Sequence, residues 1–202
     1  MATDSQRQTM PPSNVTRSMG QIVARAEGDA PDNRRRTLSF SSETPVPRWF
    51  GAEILDHKEG AVNLSRLNEV GVLLFNHDTD KVLGKVLRAW VENGKGMAEV
   101  EFDSDEETER IYQKVQSGTL KTTSVRASVE SWEHVPEGKV SNDGRFTGPC
   151  RVARQWTPVE VSLVSVPADA TVGVGRSQED QAPMGLYQRQ LTVNRNRQTI
   201  QQ

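Results

Sequence analysis

Cysteine is almost missing from this chain: Cys150 stands alone among 202 residues. No internal disulfide can form, and no thiolate cluster can hold a metal. Such usage fits a reducing compartment. Long apolar runs are missing as well. No stretch approaches the roughly 18 apolar residues of a membrane span. The start, Met1 to Val15, is rich in Ser, Thr, Gln and Pro and lacks the apolar centre of a secretion signal. The chain is therefore expected to be soluble and intracellular. An excess of basic charge is also absent: Lys and Arg number 25 against 27 Asp and Glu, a formal net charge of -2. A nucleic-acid binder would need a clustered basic surplus. Arg34-Arg35-Arg36 reads as a solvated entry to a strand rather than a phosphate site. The three histidines, His57, His77 and His134, show no pair at ligand spacing, and the carboxylates form no cluster. No metal or other cofactor is expected.

The apolar residues are unevenly spread. Residues 1–35 carry Pro11-Pro12, Pro31 and many small polar side chains. They read as a flexible leader, because such a stretch buries too little surface to offset the entropy of ordering. Ile22-Val23-Ala24 is its one candidate for a helical turn. Residues 177–202, rich in Gln and Arg, read as a tail or linker. Between them, 36–176 has the length of one domain.

That domain reads mostly as strand. Leu38 and Phe40 alternate with polar neighbours over 37–41, and 49–55 is a second candidate. Val72-Leu73-Leu74-Phe75 is continuously apolar, as in a strand buried on both faces. Strands over 85–91 and 97–102 flank Asn93-Gly94, a pair that tolerates positive φ and marks a hairpin. One helix is predicted over Asp105–Ser117. Ser104 and Glu107 form a capping box, Ile111 and Val115 a core stripe, and Gly118 a stop. Strands return over 120–133, 151–156 and 159–166, and Pro167 ends the last. Many strands with one central helix imply an α+β fold, a β-barrel or sandwich with a helix packed on it.

Three residues have contexts suited to chemistry. In the strand around Ser124, Val125, Ala127 and Val129 face the core, while Thr122, Ser124, Arg126 and Ser128 form a polar face. A serine exposed there beside Arg126 is a candidate nucleophile, although serines on polar strand faces are common. His77 closes the buried run after Phe75-Asn76, where a rigid strand meets a cleft, and a histidine suits proton transfer near neutrality. Glu160 lies in a strand apolar on both faces, where an unpaired carboxylate is costly. Its partner is either an imidazole N–H or an arginine: Arg126, Arg151 or Arg154. Together the three could supply nucleophile, base and orienting acid. Cys150, in a Gly-Pro-Cys-Arg loop with no base nearby, is a weaker rival, since free cysteines are mostly inert packing residues.

At these positions the chain resembles the prohead maturation serine proteases of tailed phages, a family distantly similar to herpesvirus assemblin. The resemblance runs from about Arg36 to Gly175. It rests on Ser41-Ser42-Glu43-Thr44-Pro45-Val46-Pro47-Arg48, on Leu74-Phe75-Asn76-His77-Asp78 followed by Leu83-Gly84-Lys85-Val86, on Gly118 through Val125, and on Glu160 through Ala170. It implies that His77 is the general base, Ser124 the nucleophile and Glu160 the third member. His57 and His134 are alternatives for that place, since some relatives use a second histidine. Arg126 and Ala127 stand where members often carry glycine and an aromatic residue. Backbone N–H groups near Ser124, or Arg126, Arg151 or Arg154, are the candidate oxyanion donors, with Arg126 and Arg154 also candidate substrate contacts. The implied fold is a mainly antiparallel β-barrel with surrounding helices, like the herpesvirus protease. The implied role is cleavage of scaffold and capsid-protein precursor, and of the protease itself, inside the immature procapsid in the host cytoplasm. A decayed scaffold or assembly protein keeping the fold is the alternative, and self-association stays open.

Overall fold

The computed structural model describes residues 13–23, 33–48 and 51–166, all within the unit Met1–Val172. The tail expected at 177–202 lies outside them, as does most of the leader. Among the described residues nine strands and two helices form in the order β1 (Asn14–Val23), β2 (Arg35–Ser42), β3 (Val46–Arg48), β4 (Gly51–Leu55), α1 (Ser65–Val70), β5 (Val72–Phe75), β6 (Asp78–Glu92), β7 (Lys95–Phe102), α2 (Glu106–Gln116), β8 (Thr122–Val135) and β9 (Cys150–Leu163).

The sheet curls until its pairing returns to its origin. β8 pairs with β9, β9 with β5, β5 with β6, β6 with β7, β7 with β2, β2 with β1, and β1 again with β8. Within this ring only β5 and β9 run parallel. A second parallel pairing joins β4 to the opposite end of β9, and β3 extends that side. The 14 residues of β9 therefore serve two strands in turn along one edge while β8 lines the other. The enclosed core is built from alternating inward residues: Leu38 and Phe40 of β2, Val100 and Phe102 of β7, Val125 and Ala127 of β8, and Val161 and Leu163 of β9. Trp156, 1% exposed, is the largest side chain sealed inside.

Several expectations change here. Asn14–Val23, part of the expected leader, is a strand, because the facing edges of β2 and β8 both offer it ladder partners. Ile22 and Val23 are extended in it, not helical. α2 begins one residue later than the capping box suggests. The Asp105 carboxylate, not Ser104, accepts the Thr108 N–H at 3.0 Å. Its buried stripe is Thr108, Tyr112 and Val115, with Tyr112 against Phe102 and under the guanidinium groups of Arg34 and Arg36. Those two arginines are thus packed on a ring rather than merely solvated. α1 escapes sequence reading because its six residues bury only Leu67.

The two strands expected at 151–156 and 159–166 are one. Pro158 does not break it, since β4 pairs with β9 only up to Ala153 and β5 only from Val161. The missing N–H falls at a stretch that neither strand pairs. Opposite it, Arg126 pairs with Glu160 and Ala127 with Pro158, so Val159 is an extra residue, a bulge.

Candidate active site

Three elements meet at one point. The first is the turn between β5 and β6. Phe75 and Asp78 are paired, leaving the two-residue loop Asn76-His77, with φ of 53° and 61°. Both values are positive, the pattern of a type I′ hairpin turn. Asparagine accepts it readily, whereas histidine there is uncommon, and the left-handed region costs a non-glycine residue roughly 1–2 kcal/mol. Neighbouring hydrogen bonds, each worth a net ~1 kcal/mol, hold the turn against that cost. Asn76 N–H donates to the Leu163 carbonyl at 2.7 Å, His77 N–H to Ser162 Oγ at 3.1 Å, and Ser165 N–H to Asn76 Oδ1 at 2.9 Å. The end of β9 thereby fixes the backbone from which the imidazole projects.

The second element is β8. Ser124 is the Cα partner of Ser162 on β9. On its other side β1 pairs Arg17 with Val125 and Gly20 with Thr123, with an irregularity between, so the main chain of Ser18 and Met19 runs opposite Ser124. The sequence placed Ser124 on an exposed polar face, yet it is fully buried. Strands on both edges and the His77 side chain on its hydroxyl leave it no free face.

The third element is the bulged part of β9. Glu160, 7% exposed, is a carboxylate in an apolar wall. Leaving it ionised and unpaired would cost several kcal/mol, more than any one hydrogen bond returns. It has several partners. Oε1 lies 2.5 Å from His77 Nδ1, Oε2 accepts from Ser162 Oγ at 2.7 Å, and Arg126 Nε is 3.9 Å from Oε1. Both partners foreseen for it, imidazole and arginine, are present, the imidazole much the closer. Glu160 and Ser162, two apart, share one face of the strand, and the bulge at Val159 just before them sets which face that is.

His77 completes the line, with Nε2 2.7 Å from Ser124 Oγ. Since a carboxylate only accepts, Nδ1 carries the ring proton and Nε2 is left to accept from the serine hydroxyl. Hydroxyl, imidazole and carboxylate are thus arranged for proton transfer from Oγ to Nε2, with the developing positive charge facing Glu160. The imidazole side chain keeps 19% of its surface exposed, so the site has an open rim.

The other foreseen residues go elsewhere. Arg126 projects beside the site, its side chain 40% exposed. Arg154 does not reach it. Six residues before Glu160 on β9, about 20 Å away along a strand, it donates to Glu133, Asp56 and Asp143. It lines a separate open cavity with Asp56, Trp132 and His134. Its guanidinium is committed to carboxylates, so the oxyanion or substrate contact foreseen for it is corrected. His134 lines that same cavity. His57 is buried, its Nδ1 donating to the Leu55 carbonyl at 2.9 Å and its Nε2 2.7 Å from Ser41 Oγ. This second Ser–His contact matches the first in length. However, His57 is only 5% exposed and turns its Nδ1 to a backbone carbonyl rather than to a carboxylate. Cys150 is buried at the start of β9, and burial pushes its thiol above the ordinary range, away from the reactive thiolate. Among the described residues no three His, Cys, Asp or Glu side chains group as metal ligands, and no helix is long and apolar enough to cross a membrane.

Two residues of the site went unread in the sequence: Asn76, which shapes the turn, and Ser162, which touches both the turn and the carboxylate. The Asn76-His77 dipeptide between apolar and polar-alternating runs was the available signal for the first.

A model of the caudovirus prohead serine protease family matches residues 53–185, a span that holds His77, Ser124 and Glu160. A segment of the major capsid protein of Halomonas phage phiHAP-1 is 40% identical over 144 residues. That match takes in 69% of this chain and 23% of the capsid protein, so the chain spans under a quarter of that relative. Among solved structures, the bacteriophage T4 capsid assembly protease overlays 77% of this chain and 98% of its own, with a TM-score of 0.48 at 13% identity.

Proposed function

Given that the chain belongs to the caudovirus prohead serine protease family, we propose that it is a serine endopeptidase that acts on phage capsid precursors with Ser124, His77 and Glu160 as its catalytic residues. One observation carries the reading: the unbroken series of contacts from Ser124 Oγ through both ring nitrogens of His77 to Glu160. In the acylation step Oγ bonds to the scissile carbonyl carbon as its proton passes to His77 Nε2. That proton then goes to the leaving amine as the C–N bond breaks. Water, activated by the same nitrogen, releases the acyl group and restores the hydroxyl. Glu160 holds the tautomer and faces the imidazolium formed in between. Arg126, two residues from the nucleophile on the same face, is the side chain closest in sequence to serve the oxyanion or a substrate group.

The substrates we propose are the scaffold and the scaffold-like arm of the capsid protein, processed inside the procapsid in the host cell. Confinement there raises local concentration, so that even a slow protease suffices. The sequence shared with a major capsid protein supports capsid precursor as the substrate class. The same match is the observation favouring the second reading, an assembly protein that keeps the fold without the activity. Self-cleavage in the 1–35 or 177–202 segments, and likeness of the barrel to the herpesvirus protease, belong to the same proposal.

The test is co-expression with the capsid protein, wild type against Ser124→Ala, reading intact masses. Shortening of the capsid protein by the wild type alone is expected. Equal masses in both arms, with the protease folded, would leave the assembly-protein reading. Purified wild type incubated alone should also shorten at one or both ends, while Ser124→Ala stays at full mass.

A further inference from the structure

Ser162 is positioned to do more than pack. It is fully buried, it stands opposite Ser124 in the ladder, and its main chain also pairs with Leu74 of β5. A hydroxyl has one proton to give and two lone pairs. Ser162 gives its proton to Glu160 Oε2 at 2.7 Å and takes the His77 main-chain N–H at 3.1 Å. One side chain therefore ties the backbone of the imidazole-bearing residue to the carboxylate its ring must meet.

We infer that Ser162 is a positioning residue for the hydrolytic site, acting through Glu160 and His77 without touching the reacting atoms. The inference rests on the proposed catalytic reading of those residues. Two consequences of the geometry argue for it. With Oε2 pinned, the carboxylate cannot rotate, and Oε1 is the oxygen that faces Nδ1. Without the pin, Oε2 would be a buried acceptor with no hydroxyl donor, and the carboxylate would turn toward Arg126, already 3.9 Å from Oε1. The second consequence concerns the turn. His77 sits at φ 61°, a conformation that persists only where its surroundings over-determine it. The bond from its N–H to Ser162 is one of the contacts that do so. Because Glu160 and Ser162 are two apart on one strand, they share a face by the alternation of the strand alone.

The experiment compares wild type, Ser162→Ala and Ser162→Cys. The cysteine keeps the approximate shape but is a weak donor and acceptor. A fluorophosphonate probe, which forms a phosphorus–oxygen bond to the nucleophile and releases fluoride, measures the saturating labelling rate separately from half-saturation. Proton NMR follows the downfield resonance of the Nδ1–H held by Glu160. For Ser162→Ala the labelling rate should fall about 10- to 100-fold, the range for losing a hydrogen bond to a charged group. Half-saturation should stay within about twofold, and the downfield resonance should shift or vanish. Ser162→Cys should fall between. If Ser162→Ala keeps both rate and resonance, the inference is overturned. Should the alanine variant not fold, the cysteine variant decides: a wild-type rate and resonance overturn the inference, and loss of both upholds it. If wild type and Ser124→Ala label alike, the catalytic proposal has failed. The Nδ1 resonance then tests the Ser162 contact by itself, upheld by its change in either Ser162 variant and overturned by its constancy in both.

Discussion

Nδ1 of His77 and Oε1 of Glu160 lie 2.5 Å apart, although 83 positions separate the residues. That contact decides which ring nitrogen is free for Ser124. Replacing Glu160 with Gln supplies an amide that can donate, stabilising the tautomer with Nδ1 bare and Nε2 protonated. The fold should survive, and turnover should drop about 10⁴-fold, as expected when a triad imidazole is held in the wrong tautomer. Labelling by a fluorophosphonate and capsid-protein cleavage both measure it. A loss under tenfold would mean that Glu160 does not set the tautomer.

Asn76 carries the turn. At φ 53°, a β-branched residue is strained, so Asn76→Val should destabilise the protein by about 1–3 kcal/mol and slow the reaction with it. Asn76→Gly accepts the same φ and loses only the acceptor for Ser165 N–H, about 1 kcal/mol. Chemical denaturation of both variants gives the comparison. Equal stability of the valine and glycine variants would count against the strained-turn account.

Gly84, in the Leu83-Gly84-Lys85-Val86 segment after the histidine, is constrained by its neighbours in the ladder. Its φ is 150°, and an added Cβ would stand 2.0 Å from the Glu101 carbonyl oxygen. Backbone must shift to admit it, so Gly84→Ala should cost more than about 2 kcal/mol or prevent folding. A thermal unfolding midpoint within a degree of wild type would contradict this.

Acid should weaken the end of the barrel away from the site. Hydrogen bonds from Arg154 hold the Asp143 carboxyl well below the usual range against the opposing effect of burial, with Ser141 and Arg145 adding to them. For Asp56, burial acts upward, and bonds from Arg145, the Lys58 backbone and Arg154 outweigh it. A carboxyl depressed in the folded state stabilises fully above its unfolded value, about 3.9. That contribution is lost as pH falls from there toward the folded value. Stability should therefore decline below about pH 4, and Asp143→Asn should show a shallower decline. Urea midpoints from pH 7 to pH 3 would reveal it, and parallel curves for the two proteins would refute it.

What could be read in advance follows from how local each signal is. Asn93-Gly94 announces its hairpin because both residues accept positive φ, and the observed values are 50° and 69°. Asn76-His77 makes the same kind of turn, but histidine does not advertise it, and the local pattern there resembles only the end of a strand. α2 is legible from its cap and stop. β1 is not, because its mostly polar stretch 14–21 is ordered by pairing with two strands that arrive later in the chain. Arg154 looked as available as Arg126. Only the folded arrangement shows the three carboxylates that occupy it.

By itself the sequence determined the strand-rich character, the helix, one hairpin, and the chemical identities of Ser124, His77 and Glu160, since periodicity, capping and side-chain type are properties of short windows. The tertiary structure decided the ring of strands, the burial of Ser124, the tautomer of His77 and the place of Ser162. Each of these depends on which distant edges pair and in what register, and a shift of one residue would turn every side chain of a strand to the opposite face.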